Sequence, residues 1–475
     1  MTKKEWLVIL FPVSIYFFVF SYLSLFRHWS LNSSYLDLGL ESQALWNTSQ
    51  GRFFETSFGS SGELISSLSY HFTPIILPLA LIYRLLPFPE TLLIFQTLVL
   101  SSGAIPLYWI AKRILKSQIL SFFLGLSYLL YPSLEYSNLF DFHYVTLATT
   151  FLLFCFYFLN ERRWLWFTLF LILSVSTKEN MAIVAALFGI YLYFSLREKR
   201  RGVAVLLISL IYFIFSVFYM MPLLGGSLGA VGRYSTLTSD PIRALFLLFD
   251  LDKIKYIFHL LVSVGFLPLL SPGALFLGSS EIFLNLLSDY NPQWQGKFHY
   301  TAAITPFVLV AAIFGTYRLI DTLRNTTLLH SNVVINRGQR LNYLISFYLL
   351  FIALVWNVLH SPSPLFYKFD RSKYTETKET RKVREILKTI PSGVSVSAMN
   401  NLGSHLINRR FLYLFPIKFL EADLVILDPG AVAGFPTGAS ILSGEEYHHY
   451  QNLLEASSNH EKIIDEPHLL VYRKK

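Results

Sequence analysis

Asp37 and Glu41 stand four residues apart in Tyr35-Leu-Asp-Leu-Gly-Leu-Glu41, a spacing that puts both carboxylates on one face of a short helix. Further along, unusual polar side chains recur in small groups: His71, Asp141 with His143, Lys178 with Glu179, Arg233 with Tyr234, and Lys297 with His299. This mixture of carboxylates, imidazoles and cations suits chemistry between an acceptor hydroxyl and a phosphate. A carboxylate can accept the hydroxyl proton as general base. Lys, Arg and His can neutralise a phosphate leaving group. Each group also has a plainer reading. Asp37 and Glu41 could lie on a solvated amphipathic helix, and Lys178 and Glu179 could pair at the end of a helical hairpin. Asp141 and His143 could make hydrogen bonds within a loop. Arg233 could snorkel at an interface, Lys297 and His299 could anchor a membrane edge, and His71 by itself is a weak signal.

A membrane bundle must position these residues. The 475-residue chain is 53% hydrophobic and 15% charged, with 43 Phe and 28 Tyr, and its mean hydropathy is +0.48. Soluble domains carry roughly 25% charged residues, so an ordinary cytosolic enzyme, a disordered chain and a coiled coil are excluded. The first uncharged run, Trp6–Phe26, follows Lys3 and Lys4 and reads as an uncleaved signal anchor. Others are Thr91–Ala111, Gln118–Leu134, Tyr144–Leu159, Trp164–Thr177, Met181–Leu196 and Val203–Leu224. A long run around Tyr256–Ser280 follows, then Ile282–Ser288, Thr301–Tyr317 and Leu341–Leu359. A helix needs about 20 apolar residues to cross a bilayer, and these runs predict about eleven spans. Phe72–Pro87 holds three prolines and Arg84 and reads as an interfacial helix.

Charge sets the direction. With the N-terminus inside, the inner loops hold Lys112, Arg113 and Lys116; Arg162 and Arg163; Arg197, Lys199, Arg200 and Arg201; and Arg324, Arg337 and Arg340. That follows the positive-inside rule. It also accounts for the net charge of +9 without nucleic acid as a partner. All the candidate groups named above then fall on the outer side, as does the tail after His360. Ionisable residues at membrane depth tend to face a cavity and a partner, so the clusters predict one polar site at the outer face.

The tail differs in composition. A charged helix-like stretch, Glu376–Leu387, precedes strand-like runs at Val394–Ala398, Phe411–Phe415 and Leu424–Leu427. A second helix-like run, Tyr447–Glu455, precedes strand-like Leu469–Tyr472. The single cysteine, Cys155, excludes an intrachain disulfide and a cysteine metal cluster. P-loop, GxSxG, HExxH and paired CxxC motifs are absent, and Gly225, Gly226 and Gly229 lack the strand-turn-helix context of a nucleotide fingerprint.

The run Leu36-Asp-Leu-Gly-Leu-Glu-Ser-Gln-Ala-Leu-Trp-Asn-Thr48 and then Gly51-Arg-Phe53 resembles an uncharacterised family of prokaryotic multi-pass membrane proteins. The likeness continues at Tyr70-His-Phe-Thr-Pro74, Asn138-Leu-Phe-Asp-Phe-His143, Lys178-Glu-Asn180, Asn285-Leu-Leu-Ser288 and Lys297-Phe-His-Tyr300. The tail motif Val394-Ser-Val-Ser-Ala398 is similar too. Leu36 stands where the family usually has Phe, Tyr70 where an acid is common, Tyr144 where Pro is common and Asn180 where Asp is frequent. The family is grouped with the GT-C glycosyltransferases, multi-span enzymes that use a polyprenyl-phosphate-linked sugar. In them an acidic residue of the first outer loop serves as catalytic base or metal ligand. By position Asp37 matches that acid, with Glu41 the second candidate.

The resemblance implies an all-α polytopic membrane protein of GT-C type with a small C-terminal α/β extracytoplasmic domain. Residues 1–359 would form the membrane domain, with 27–90 its first outer loop, and 360–475 the outer domain. The expected activity transfers a sugar from polyprenyl phosphate to an acceptor glycan, lipid or protein outside the inner membrane. Asp37 and Glu41 are the expected catalytic residues, with a divalent metal (Mg or Mn) as a candidate cofactor. His71, Asp141, His143, Lys178, Glu179, Arg233, Tyr234, Lys297 and His299 would bind substrate. A transporter or lipid flippase, and a non-catalytic envelope assembly protein, are the alternatives. The absence of a repeat and the one-sided charge favour the enzyme.

Overall fold

The computed structural model describes residues 3–59, 61–226, 229–325, 334–433 and 442–475. Its first helix, Lys3–Trp29, turns a strip of apolar side chains outward; Phe11 and Phe18 are about 70% exposed, a surface that only lipid makes favourable. Among the described residues five helices are long and apolar enough to cross a membrane: Glu5–Trp29, Pro89–Leu115, Lys199–Leu223, Thr305–Asn325 and Gln339–His360. Gln118–Leu129, Tyr144–Asn160, Trp164–Val175 and Met181–Phe194 are apolar but shorter. A helix of 12 residues such as Trp164–Val175 rises only about 18 Å, against a hydrocarbon core of about 30 Å. The core of the bundle runs through these helices and is centred on Thr305–Asn325, whose first nine residues are all buried.

One expected span is not a span. The run around Tyr256–Ser280 breaks into a helix Leu251–Val262, short turns at Leu267–Leu270, Pro272–Leu275 and Phe276–Gly278, and a helix Ser279–Leu287. Gly265 and Phe266 both take positive φ there, and Pro268 and Pro272 cannot donate to a continuing helix. Apolar composition alone does not reveal this break.

Between the first and second long helices the chain makes a wide turn, Tyr35–Gly39, which runs straight into a helix, Leu40–Ser49. A two-residue hairpin follows, β1 (Glu55–Thr56) against β2 (Ile65–Ser66). Ile76–Leu85 is helical within the segment read as interfacial.

After His360 the chain forms helices Lys378–Thr389 and Gly444–Ala456 and a five-stranded sheet. The strands are β3 (Val396–Ala398), β4 (Leu412–Leu414), β5 (Leu424–Leu427), β6 (His460–Glu466) and β7 (Leu469–Lys474), in the order β4-β3-β5-β7-β6. β4, β3 and β5 are parallel, and β7 and β6 are antiparallel additions. This sheet packs on the first loop: Tyr35, Leu38, Leu40, Ala44, Val396, Ala398, Leu402 and Leu412 share one buried cluster.

Candidate functional site

The wide turn that carries Asp37 is tightly built. Gly39 is required because the Tyr35 ring lies where its Cβ would be, 2.6 Å away. Ser34 N–H donates to Asp141 Oδ2 (2.9 Å), and Asp141 also pairs with Arg27. Asp141 itself is held by a turn of positive φ whose carbonyl accepts Gln96 Nε2 (2.8 Å). Gln96 Oε1 in turn accepts the His143 backbone N–H (3.0 Å) and the Thr146 hydroxyl (2.7 Å). One buried glutamine thus fixes the segment bearing both Asp141 and His143.

His143 Nε2 lies 3.2 Å from Asp37 Oδ1. Its ring stacks on His299, with centroids 3.9 Å apart, and Phe140 lies beside both rings, 5.3 Å from His143 and 6.0 Å from His299. Burial and the neighbouring His143 and Lys178 hold His299 well below the usual imidazole range, so it is neutral. Asp37, Glu41, His71, His143, Lys178, Arg233 and His299 all line one cavity of about 620 Å³. The carboxylates come from the turn and helix at 35–49, and Lys178 from the tip between Trp164–Val175 and Met181–Phe194. Arg233 enters from a short turn, Gly229–Tyr234; its guanidinium lies 4.7 Å from the Tyr290 ring centroid and 3.4 Å from the Tyr300 hydroxyl.

Electrostatics divide the cavity. Burial raises Glu41 most, His143 draws it down and Asp37 pushes it up again, leaving it at about 7. Burial lowers Lys178, partly countered by Glu179. Burial alone would raise Glu179, but His71 and Lys178 overcome it and hold the carboxyl at about 2. Glu179 accepts from the Phe72 backbone N–H (3.0 Å) and lies 3.2 Å from His71 Nδ1. Burial and Lys178 lower His71, and the Glu179 carboxylate it faces pulls it back up.

Four expected residues do not line the cavity. Asp141 is buried in its bonds to Arg27 and Ser34. Glu179 stands behind His71. The Tyr234 hydroxyl accepts from Gln293 Nε2 (3.3 Å), and Lys297 is exposed elsewhere. Sequence reasoning missed Glu63, Tyr70, Tyr144, Tyr290 and Tyr300 in the cavity wall, and buried Glu281 beside it, which accepts from Asn180 Nδ2 (2.8 Å). Glu281 had a signal: it is the lone acid between two apolar runs. Tyr70, Tyr144 and Tyr300 adjoin His71, His143 and His299 but carry no charge to mark them.

Among the described residues no three His, Cys, Asp or Glu side chains gather as ligands. Asp37 is engaged by His143, and Glu179 by His71 and a backbone N–H.

The sequence matches the family described as "Predicted membrane protein (DUF2079)" over residues 27–443. No curated protein matches. Two crystal structures of ArnT from Cupriavidus metallidurans share the fold. The form bound to undecaprenyl phosphate is 11% identical, with 99% of this chain and 98% of that one covered and a TM-score of 0.56. The apo form gives the same identity and coverage with a TM-score of 0.52.

Proposed function

The chain belongs to this family of predicted membrane proteins, and from that premise and its site we propose a membrane glycosyltransferase that moves a sugar from a polyprenyl phosphate to an acceptor hydroxyl. One observation carries the reading: a single cavity is lined by the carboxylate Asp37 together with the cationic side chains Lys178 and Arg233. The fold shared with a protein crystallised with undecaprenyl phosphate supports a lipid phosphate as the donor's carrier.

In this reading the donor phosphate sits toward Lys178 and Arg233, which neutralise the charge it gains. His143 holds Asp37 through Oδ1 and leaves Oδ2 to take the acceptor proton. The acceptor oxygen bonds to the anomeric carbon as the bond from that carbon to the phosphate oxygen breaks. The electron pair leaves on the phosphate, and polyprenyl phosphate is released. A single displacement inverts the anomeric centre. His71 and His299 border the space left for sugar and acceptor. On this reading the transfer occurs at the outer face of the inner membrane, with the N-terminus cytoplasmic.

The test is incubation of the protein in lipid with a panel of polyprenyl-phosphate sugars, beside Asp37→Asn, reading free polyprenyl phosphate. Release that falls by about 10²-fold or more in the variant is expected of a lost general base. Equal release in both removes Asp37 from that role. Transport of the lipid without release of phosphate replaces the enzyme reading with the transporter. Parallel reactions with chelator, Mg and Mn settle whether an ion is needed.

A further inference from the structure

Asp37 sits on a turn whose first N–H groups have no acceptor within the turn itself, as at any helix start. Ser34 occupies the capping position, yet its side chain makes no capping bond. A serine there would ordinarily accept from the second or third N–H. Here its hydroxyl instead donates to Asn400 Oδ1 (3.2 Å), and the same oxygen accepts the Leu36 backbone N–H (3.1 Å). Asn400 lies 364 residues from Leu36, separated by Met399 from the end of β3, the first strand of the C-terminal sheet. It is buried, and its Nδ2 has no partner among the described residues. Burying an unpaired donor costs free energy, so the acceptor oxygen is what the position uses.

The surroundings fix that oxygen. The Tyr35 hydroxyl donates to Leu412 O (2.7 Å), and a Cβ on Gly403 would meet the Tyr35 side chain at 3.0 Å. Met399 N–H, one residue before Asn400, donates to Ile426 O (3.0 Å) in the adjacent strand β5. On the opposite side Ser34 N–H is held by Asp141. The turn is therefore gripped from the bundle by Asp141 and from the sheet by Asn400.

We infer that Asn400 is a positioning residue that caps the Asp37 turn in trans, so that the C-terminal domain sets the aim of the Asp37 carboxylate by holding the Leu36 N–H and the Ser34 hydroxyl. The inference rests on the glycosyltransferase reading for its kinetic consequence, and on geometry alone for its structural one. A displaced carboxylate loses chemistry before binding, because a shift of about 1 Å can cost about 10²-fold in rate.

The experiment uses the full chain in lipid, with Asn400→Leu, which keeps size but no acceptor, and Asn400→Asp, which keeps the oxygen. Hydrogen exchange at the Leu36 amide is expected to speed up by about tenfold or more in Asn400→Leu, while amides of β5 stay protected. The kcat for polyprenyl phosphate release is expected to drop by about 10- to 100-fold with donor KM within about twofold. Asn400→Asp should return both toward wild type. If Asn400→Leu also loosens β5, Asn400→Ala takes its place under the same criteria. Unchanged exchange at Leu36, or an Asn400→Asp variant as impaired as Asn400→Leu, overturns the inference. If wild type releases no phosphate from any donor, the enzymatic reading falls, and the exchange measurements still decide whether the domain holds the turn.

Discussion

Two carboxylates share one cavity but not one environment. Asp37 has His143 against one oxygen, whereas burial and the charge of Asp37 push Glu41 to about 7. An acid raised above its ordinary value stays neutral until the pH passes the raised value. Glu41 is therefore neutral at pH 6 and becomes charged as pH climbs through about 7. That second negative charge appears opposite the cations proposed to hold the donor phosphate. Donor KM is accordingly expected to rise above pH 7 in wild type and to stay flat in Glu41→Gln, measured as phosphate release between pH 6 and 8.5. The same rise in both proteins would sink the assignment. Arg233 offers a second prediction at this scale. Its guanidinium lies over Tyr290 and beside the Tyr300 hydroxyl, which a lysine ammonium cannot reproduce. Arg233→Lys should raise donor KM by roughly 5- to 10-fold, about 1 kcal/mol of binding, with kcat changed by less than about twofold.

Elements of the bundle are held by close approach as well as by ion pairs. At Gly315, in the helix Thr305–Asn325, a Cβ would lie 1.9 Å from Leu267 O, a backbone atom in the broken segment that cannot move alone. Gly315→Ala should cost about 1–3 kcal/mol as overpacking, seen as a lower thermal midpoint in lipid. Gly273→Ala, where the added Cβ meets nothing within 4 Å, should be silent. The same segment marks the limit of sequence reading. Charge-free runs gave the helices at Lys3–Trp29, Tyr144–Asn160 and Lys199–Leu223 close to their ends, because a lipid-facing or core helix tolerates few charges. The break after Val262 was legible only in Pro268 and Pro272, which marked this stretch as a place for re-entrant helices, because its other residues are as apolar as a span. β5 was legible to the residue as Leu-Val-Ile-Leu, being buried on both faces. The adjoining β6, His-Glu-Lys-Ile-Ile-Asp-Glu, was not, because it is an edge strand rich in charge. For the site, polar residues stood out against an apolar background. Their convergence, and the contacts of Asp141 with Arg27 and of Asn400 with Leu36, join segments more than 100 residues apart and left no local trace.

At the scale of the whole molecule the two ends differ. The cavity and the sheet lie together, joined through Tyr35, Gln43 and Ser57, which bond to the backbone of Arg409, Arg410 and Leu412. The ion pairs Lys112–Glu5 and Arg113–Glu161 gather on a separate crevice with Trp6, Trp109 and Tyr157. Aromatic residues beside cations are what a membrane interface selects. The basic turns at 112–116, 161–163 and 197–201 belong to this end, joined through Arg113–Glu161 and Arg162–Glu198, so it should face the cytoplasm and the sheet should face outward. The chain suits a direct measurement, since Cys155 is its single cysteine and is fully buried. In a Cys155→Ala background, Ser458→Cys on the sheet side and Arg200→Cys at the basic start of the helix Lys199–Leu223 are both exposed positions. A maleimide that cannot cross membranes should label Ser458→Cys in intact spheroplasts and Arg200→Cys only after permeabilisation. The reverse pattern would put the cavity at the cytoplasmic face. The acceptor would then have to be a cytoplasmic one, and the proposed transfer outside the membrane would be lost even if the Asp37 chemistry survived. Orientation and chemistry are therefore separable, and the labelling result decides which acceptors are worth offering to the assay.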